Sequence, residues 1–413
     1  MSKADLAVNG GAKTITHELK GRFQFDEKEK NAVMALFDES IKTGNAFGYN
    51  GPQEEAFGKE FAAMLGGGYA DGVNGGTNAV FVALRALHLP PFSEVIVGCV
   101  TDPGGMMPIV VNDCIPVVAD CTGDSYNTSL EQIKPLVTER TRAVVVAHIG
   151  GEPVDIEPIA EFCKEKNLYL IEDCAQSHAA KINGRNVGTF GTAGAFSLMF
   201  GKHMCTGGQG GAVFTKDEDM YWRIRRAADR GKPFNRPAGS TNDRPAINCN
   251  MDELHAAIGR VQIPKLKTIV ANRQKFVELL KSKGMGNLKA IKIPQLKPGF
   301  EHCYWWWRLT VNIDALNCTK EEYCAALAAE GVQIVANYSA ALPARMEWFQ
   351  NRAEKFPWNN PCYKGDPNWQ FPCPNATRAM KENFILFINE SWGEEEAELI
   401  MKAFKKVDAE LTK

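Results

Sequence analysis

Between Ala70 and Phe214 seven short apolar runs alternate with stretches of helical periodicity, and this pattern limits the fold more tightly than any other feature of the chain. The runs are Ala70–Val73, Val95–Val97, Pro116–Ala119, Ala143–Ala147, Tyr169–Glu172, Ala193–Leu198 and Ala212–Phe214. Helical patterns fall between them at Thr77–Leu87, Ser129–Leu136 and Ile156–Lys166. Strands alternating with helices predict a mostly parallel sheet covered on both faces. Strands buried on both sides read as near-continuous apolar runs, as these do.

The flanking segments read differently. Asp26–Thr43 and Gln53–Leu65 are expected to be helices. After Thr215 come a polar helix to Arg230, a loop rich in Pro, Gly and Arg to Ile247, and a long helical stretch from Met251 towards Lys283. Tyr304–Val311 and Phe384–Asn389 look like strands, and Lys320–Glu330 and Glu394–Leu411 like helices. We expect a large α/β domain over 1–265, including the N-terminal segment, and a smaller α+β domain over 266–413.

Several chemical groups fall at defined places on this sheet. Asn74-Gly-Gly-Thr77-Asn78 joins a strand to a helix, and a glycine turn feeding a helix offers free N–H groups and the positive end of a helix dipole. That geometry binds phosphate, while the plainer reading has Thr77 capping the helix. The turn lacks the Gly-Lys-Ser/Thr of a P-loop, and the chain holds no G-x-G-x-x-G. Asp173 stands where a parallel strand ends, which is where such sheets bind ligands. Taken alone it is better explained by a helix cap or a surface carboxylate. Ser197, Lys202 and the glycine cluster Gly207–Gly211 follow in order between two strands. A lysine amine, a strand-end carboxylate and a phosphate turn are the parts that hold pyridoxal 5'-phosphate (PLP): the lysine forms a Schiff base and the carboxylate keeps the ring nitrogen protonated.

With these motifs in order the chain resembles the DegT/StrS family of sugar aminotransferases, PLP-dependent transferases of fold type I. The resemblance runs through Gly75-Gly-Thr-Asn, Glu94-Val-Ile-Val, His148-Ile-Gly-Gly-Glu-Pro-Val-Asp, Ile171-Glu-Asp-Cys-Ala-Gln-Ser-His, the Lys202 segment and Asn248-Cys-Asn-Met-Asp-Glu-Leu-His. It implies that Lys202 carries the Schiff base, Asp173 pairs with the ring nitrogen and Gln176 contacts the ring hydroxyl. Gly76, the backbone of Thr77 and Asn78, and the Ser197 hydroxyl would hold the phosphate. Asn248 would reach the phosphate of a neighbouring subunit, which implies a homodimer. Tyr338 falls where the family often has a tyrosine near substrate, and His203 adjoins Lys202 as a neighbour, out of register with the family members that carry His in place of the lysine. The segment Phe200-Gly-Lys202-His-Met-Cys-Thr-Gly-Gly resembles the branch of inosose aminotransferases and aminohydroxybenzoate synthases. The implied reaction moves an amino group from glutamate or glutamine to a keto-sugar or keto-cyclitol, with nucleotide-linked keto-sugars as the second acceptor class. A PLP-binding regulator and a PLP lyase are the other classes open to this fold.

Departures from the family pattern bear on substrate. Asp102 falls where an aromatic residue usually covers the cofactor ring, so it either meets a substrate hydroxyl or amine or leaves another residue to cover the ring. Gln209 and Asn250 replace a usual acid and a usual arginine. Arg22, Arg230 and Arg308 each suit a donor carboxylate, since arginine offers a bidentate fork. In Tyr304-Trp-Trp-Trp307-Arg308, core packing is favoured over a substrate platform.

Composition excludes other classes. Lys plus Arg (47) against Asp plus Glu (49) gives a net charge of −2, which is no footprint for nucleic acid or an anionic membrane. The chain has no uncharged apolar run of membrane-spanning length and no apolar signal region, which leads us to expect a cytoplasmic protein. Twelve cysteines without C-x-x-C spacing, and seven histidines without metal spacing, argue against a zinc site.

Overall fold

The computed structural model describes residues 5–413. Seven strands form the central sheet: β1 (Tyr69–Val73), β2 (Glu94–Gly98), β3 (Ile115–Ala119), β4 (Thr141–Ala147), β5 (Tyr169–Asp173), β6 (Ala193–Ser197) and β7 (Gly211–Thr215). Their spatial order is β1-β7-β6-β5-β4-β2-β3. Every pairing from β3 to β6 is parallel, and β7 alone runs against both its neighbours. The expected mostly parallel sheet is therefore present. Both faces are covered: Val95, Val97, Val145 and Ile171 enter one core, while Ile96, Val144, Val146 and Leu170 enter another. The period-two alternation is real, but both phases are apolar because neither face meets water.

Helices α1 (Glu27–Thr43), α2 (Pro52–Met64), α3 (Gly76–Ala86), α4 (Pro103–Val111), α5 (Ile156–Glu165) and α6 (Glu218–Ala228) belong to this layer system. Asp26 and Glu29 close α1 with a reciprocal capping box, which explains its acidic start. Helix α4 was not expected from the sequence. Pro103 at its first position suits a helix start, but Gly104, Gly105 and Pro108 lower its local helix propensity.

The second sheet holds β8 (Ile291–Lys292), β9 (Trp306–Val311), β10 (Ile334–Val335) and β11 (Asn383–Phe387) in the antiparallel order β8-β9-β11-β10. Leu309, Phe384 and Leu386 pack there beneath Phe404 and Val407 of the last helix, Glu394–Leu411. Three cores thus share the chain. The helix α7 (Glu253–Ser282) is continuous, with Leu266 in one core and Phe276, Val277 and Leu280 in the C-terminal one. Leu6, Ile15 and Leu19 pack in the C-terminal core, whereas Ala341, Phe349, Trp358 and Ala376 return to the first. Among the described residues no helix is long and apolar enough to cross a membrane.

Candidate active site

The carboxyl ends of β1, β2, β4, β5 and β6 meet at one cleft of about 280 Å³. Gly76 and Thr77 follow β1, Thr101 and Asp102 follow β2, and His148 follows β4. Asp173 ends β5 and Ser197 ends β6, while Lys202 comes from the connection between β6 and β7. This is the end of a parallel sheet at which ligands bind.

Helix α3 opens into the cleft with no side chain capping it; Gly75 occupies the cap position. Thr77 is therefore not the cap. The first intrahelical bond is donated by Ala79 to the Gly75 carbonyl. The amides before Ala79 have no acceptor within the helix, so this end offers N–H donors and the positive pole of the helix. Its approach to β6 requires glycine, because a Cβ on Gly76 would lie 2.5 Å from the Ser197 Cβ and 2.8 Å from its Oγ. Gly76, Thr77 and Ser197 all line the cleft, as a bound phosphate requires. The Asn78 side chain turns away: its Nδ2 donates to Asn74 Oδ1 at 2.6 Å.

Asp173 is buried, and burial raises its carboxyl above the usual range. The Ala175 N–H donates to its Oδ1 at 3.0 Å and works the other way. Lys202 is 8% exposed. Burial lowers its ammonium from 10.5 to about 8, against the opposing pull of Asp173 and Asp102. Asp102 is exposed at the mouth of the cleft, and the reason is local: it is the N-cap of α4, accepting from the Gly104 N–H at 2.8 Å. The first turn of α4 lies directly over the strand-end acid, since a Cβ on Gly105 would come within 2.9 Å of Asp173 Oδ2.

Two further side chains are locked against the floor. Gln176 Oε1 accepts from the Gly150 N–H at 2.7 Å, and its Nε2 donates to the Tyr338 hydroxyl at 3.1 Å. Tyr338 thus stands behind Gln176 and does not line the cleft itself; burial pushes its hydroxyl up to about 12. His148 Nδ1 accepts from the Val154 N–H at 2.9 Å, which leaves Nε2 to donate to Glu172, 3.2 Å away.

Trp305 lines the cleft, its ring centre 3.9 Å from Lys202 Nζ and its Nε1 donating to the Gly201 carbonyl at 3.0 Å. Core packing was expected for the whole aromatic run. That describes Trp306 and Trp307, which enter opposite cores, but Trp305 precedes β9 and escapes the alternation. The signal that marks it is position: it sits just outside the strand.

Other expected site residues lie elsewhere. His203 is fully buried, its Nε2 bonded to the Cys303 carbonyl at 3.0 Å, and it does not reach the cleft. Asn248 is exposed, and its Oδ1 accepts from Asn250 Nδ2 at 2.7 Å. Each of the three arginines is paired with an acid outside the cleft: Arg22 with Glu390, Arg230 with Asp229 and Arg308 with Glu152. Gln209 lines the cleft.

Comparisons with known proteins agree with this geometry. The DegT/DnrJ/EryC1/StrS aminotransferase family matches residues 27–405. GDP-perosamine synthase of Vibrio cholerae is 33% identical over 253 residues, covering 61% of this chain and 67% of that enzyme. A putative L-glutamine:3-amino-2,3-dideoxy-scyllo-inosose aminotransferase of Micromonospora echinospora is 33% identical over 229 residues, covering 55% of this chain and 54% of that protein. The X-ray structure of an aminotransferase from Psychrobacter cryohalolentis shares the fold, with a TM-score of 0.81 at 24% identity over 95% of this chain and 99% of that one. The chain belongs to the DegT/DnrJ/EryC1/StrS aminotransferase family, and it is a PLP-dependent aminotransferase of the fold-type I class.

Proposed function

We propose that this chain moves an amino group from glutamate or glutamine to a keto-cyclitol or keto-sugar, with Lys202 as the covalent and proton-moving residue. The observation that carries this reading is the meeting of one buried amine, one buried carboxylate and one uncapped helix N-terminus in one cleft at the carboxyl ends of β1, β5 and β6. PLP, when bound, supplies an aldehyde that condenses with amines and a ring that takes up electrons from the neighbouring carbon.

In this reading Gly76, the Thr77 and Asn78 amides and the Ser197 hydroxyl hold the phosphate. Asp173 keeps a positive charge on the ring nitrogen. Gln176, fixed by Gly150 and Tyr338, meets the ring hydroxyl. Lys202, with an amine that titrates near 8, both accepts and returns a proton near neutral pH. Trp305 packs on the Lys202 amine, and Asp102 faces the substrate side. His203 braces the Lys202 segment from behind through the Cys303 carbonyl.

For the acceptor, we favour an uncharged ring over a nucleotide diphosphate. Among the described residues lining this chain's cleft, Lys202 is the only lysine or arginine, while Asp102 adds a negative charge. A diphosphate calls for cationic donors. The similarity to an inosose aminotransferase supports the same choice, and that to a GDP-perosamine synthase supports the alternative. We read the active unit as a homodimer in which Asn248 serves the neighbouring cleft. Met34, Phe37 and Ile41 form an exposed apolar stripe on α1 that suits such an interface.

The test begins with the PLP-loaded protein and glutamate or glutamine, followed by its visible absorbance. Loss of the PLP band with release of the keto acid supports amino transfer. Keto-cyclitols and nucleotide keto-sugars are then offered to the aminated form. Recovery of the band with keto-cyclitols alone supports the favoured acceptor, and recovery with nucleotide sugars alone overturns it. A band that neither donor changes overturns the donor assignment.

A further inference from the structure

A second chemical cluster lies at the ends of β2 and β3, apart from the catalytic lysine. Cys99 directly follows β2, Asp120 and Cys121 directly follow β3, and Cys373 comes from a distant part of the chain as the N-cap of α8 (Pro374–Glu382). The Cys99 and Cys373 sulfurs and an Asp120 oxygen lie within 4.8 Å of one another. Cys99 Sγ is 3.6 Å from Asp120 Oδ1, and the Cys121 thiol also acts on the Cys99 thiol. All three cysteines are buried and none is in a disulfide.

We propose that Cys99, Asp120 and Cys373, with Cys121 beside them, bind a thiophilic divalent cation of the zinc type. Zinc takes thiolates at about 2.3 Å and carboxylate oxygens at about 2.0–2.2 Å, so donors around a tetrahedral ion stand about 3.5–3.8 Å apart. The Cys99–Asp120 separation falls in that range. Binding forms metal–sulfur bonds as each ligating thiol releases its proton to water. Two thiolates and one carboxylate exceed the charge of one such cation, so the filled site needs no further anion.

Asp120 is oriented for the task. Its Oδ1 accepts from the Cys121 and Ala376 N–H groups at 2.8 and 3.0 Å, and its Oδ2 from the Asn375 N–H at 2.8 Å. Backbone donors of this kind fix a ligating carboxylate, and Oδ2, with its single donor, keeps acceptor capacity for a metal. Cys373 is held in the left-handed region, at φ 43° and ψ 63°, which turns the chain sharply beside Asp120. The other thiol–carboxylate cluster, His148, Glu172 and Cys174, is a different case. Both its ring nitrogens are spent, and each Glu172 oxygen already accepts two donors, whereas Asp120 Oδ2 accepts one.

The site has a structural consequence. It would join the turn at Cys373 to the wall of the cleft, since Thr101 and Asp102 follow Cys99 within a few residues and the Thr101 N–H donates to the Ala341 carbonyl. Metal would then hold residues that flank the substrate side without touching PLP.

Untagged protein purified without chelator is assayed for metal, and chelator-treated protein is titrated with Co²⁺. We expect one zinc per chain and a thiolate-to-cobalt charge-transfer band that saturates at one equivalent and is bleached by zinc. Cys99→Ser and Cys373→Ser are expected to lose both, and Cys249→Ser, a buried cysteine elsewhere, to keep both. If a serine variant does not fold, the wild-type cobalt titration decides. Folded wild-type protein with no metal and no band overturns the proposal, as does a band that survives in folded Cys99→Ser.

Discussion

The Lys202 Nζ lies 3.9 Å from the centre of the Trp305 indole, while Asp173 pulls on the same amine as its strongest opposite charge. The ring is one of the groups that bury the amine, and its face favours the cationic form; burial as a whole is the larger effect. A cation–π contact is worth about 0.5–2 kcal/mol. The fall of the ammonium from 10.5 to about 8 corresponds to about 3 kcal/mol at the usual conversion.

Acylation of Lys202 in the cofactor-free protein should therefore rise with a midpoint near pH 8. Replacing Trp305 with alanine admits water, and the midpoint should move upward; an unchanged or lower midpoint would contradict the shielding argument. The stability sign follows from the same shift. Below about 8 the buried ammonium penalises the fold, and this penalty fades as pH rises from 8 towards 10.5, where the unfolded chain binds the additional proton.

Asp173→Asn keeps the shape and removes the charge. Because Asp173 raises the Lys202 pKa, the variant should titrate Lys202 lower than the wild type. Turnover should fall by about 10²–10³-fold, the usual loss for one electrostatic partner of a reacting centre. Competitive labelling of Lys202 across pH, beside steady-state rates, measures both effects.

Gly76→Ala tests the phosphate cradle. The new methyl would meet Ser197 at 2.5 Å, and the strain of overpacking costs about 1–3 kcal/mol. We expect PLP affinity to drop at least tenfold with circular dichroism unchanged, read by fluorescence titration with the cofactor.

Glu172 is the buried acceptor on which the β5 connection turns. Three backbone N–H groups and His148 converge on it. Glu172→Ala leaves those donors unpaired at about 1–3 kcal/mol each, so the variant should fail to fold or lose most of its stability. A urea midpoint close to that of the wild type would show that water or rearrangement satisfies the donors.

Much of this was written in the local sequence. The β strands of the main sheet are legible because burial on both faces leaves them apolar throughout. That Lys202, Asp173, Gly76 and Ser197 line one cleft was legible, because each stands at a strand end or in the turn beside it. Helix α4 was not, since Gly104 and Gly105 are there for close packing on Thr77 and Asp173, contacts that local propensity does not encode. Nor was the docking of Leu6, Ile15 and Leu19 on the C-terminal core, because their spacing follows no helix or strand period. The thiols at Cys99, Cys121 and Cys373 escape any spacing rule, since parallel strand ends and a distant helix bring them together.

The most direct measurement is borohydride reduction of the PLP-treated protein followed by digestion and mass analysis of the peptides. A single stable adduct on Lys202 is expected, abolished in Lys202→Ala. An adduct on another lysine, or none in folded protein, would contradict the Lys202 assignment.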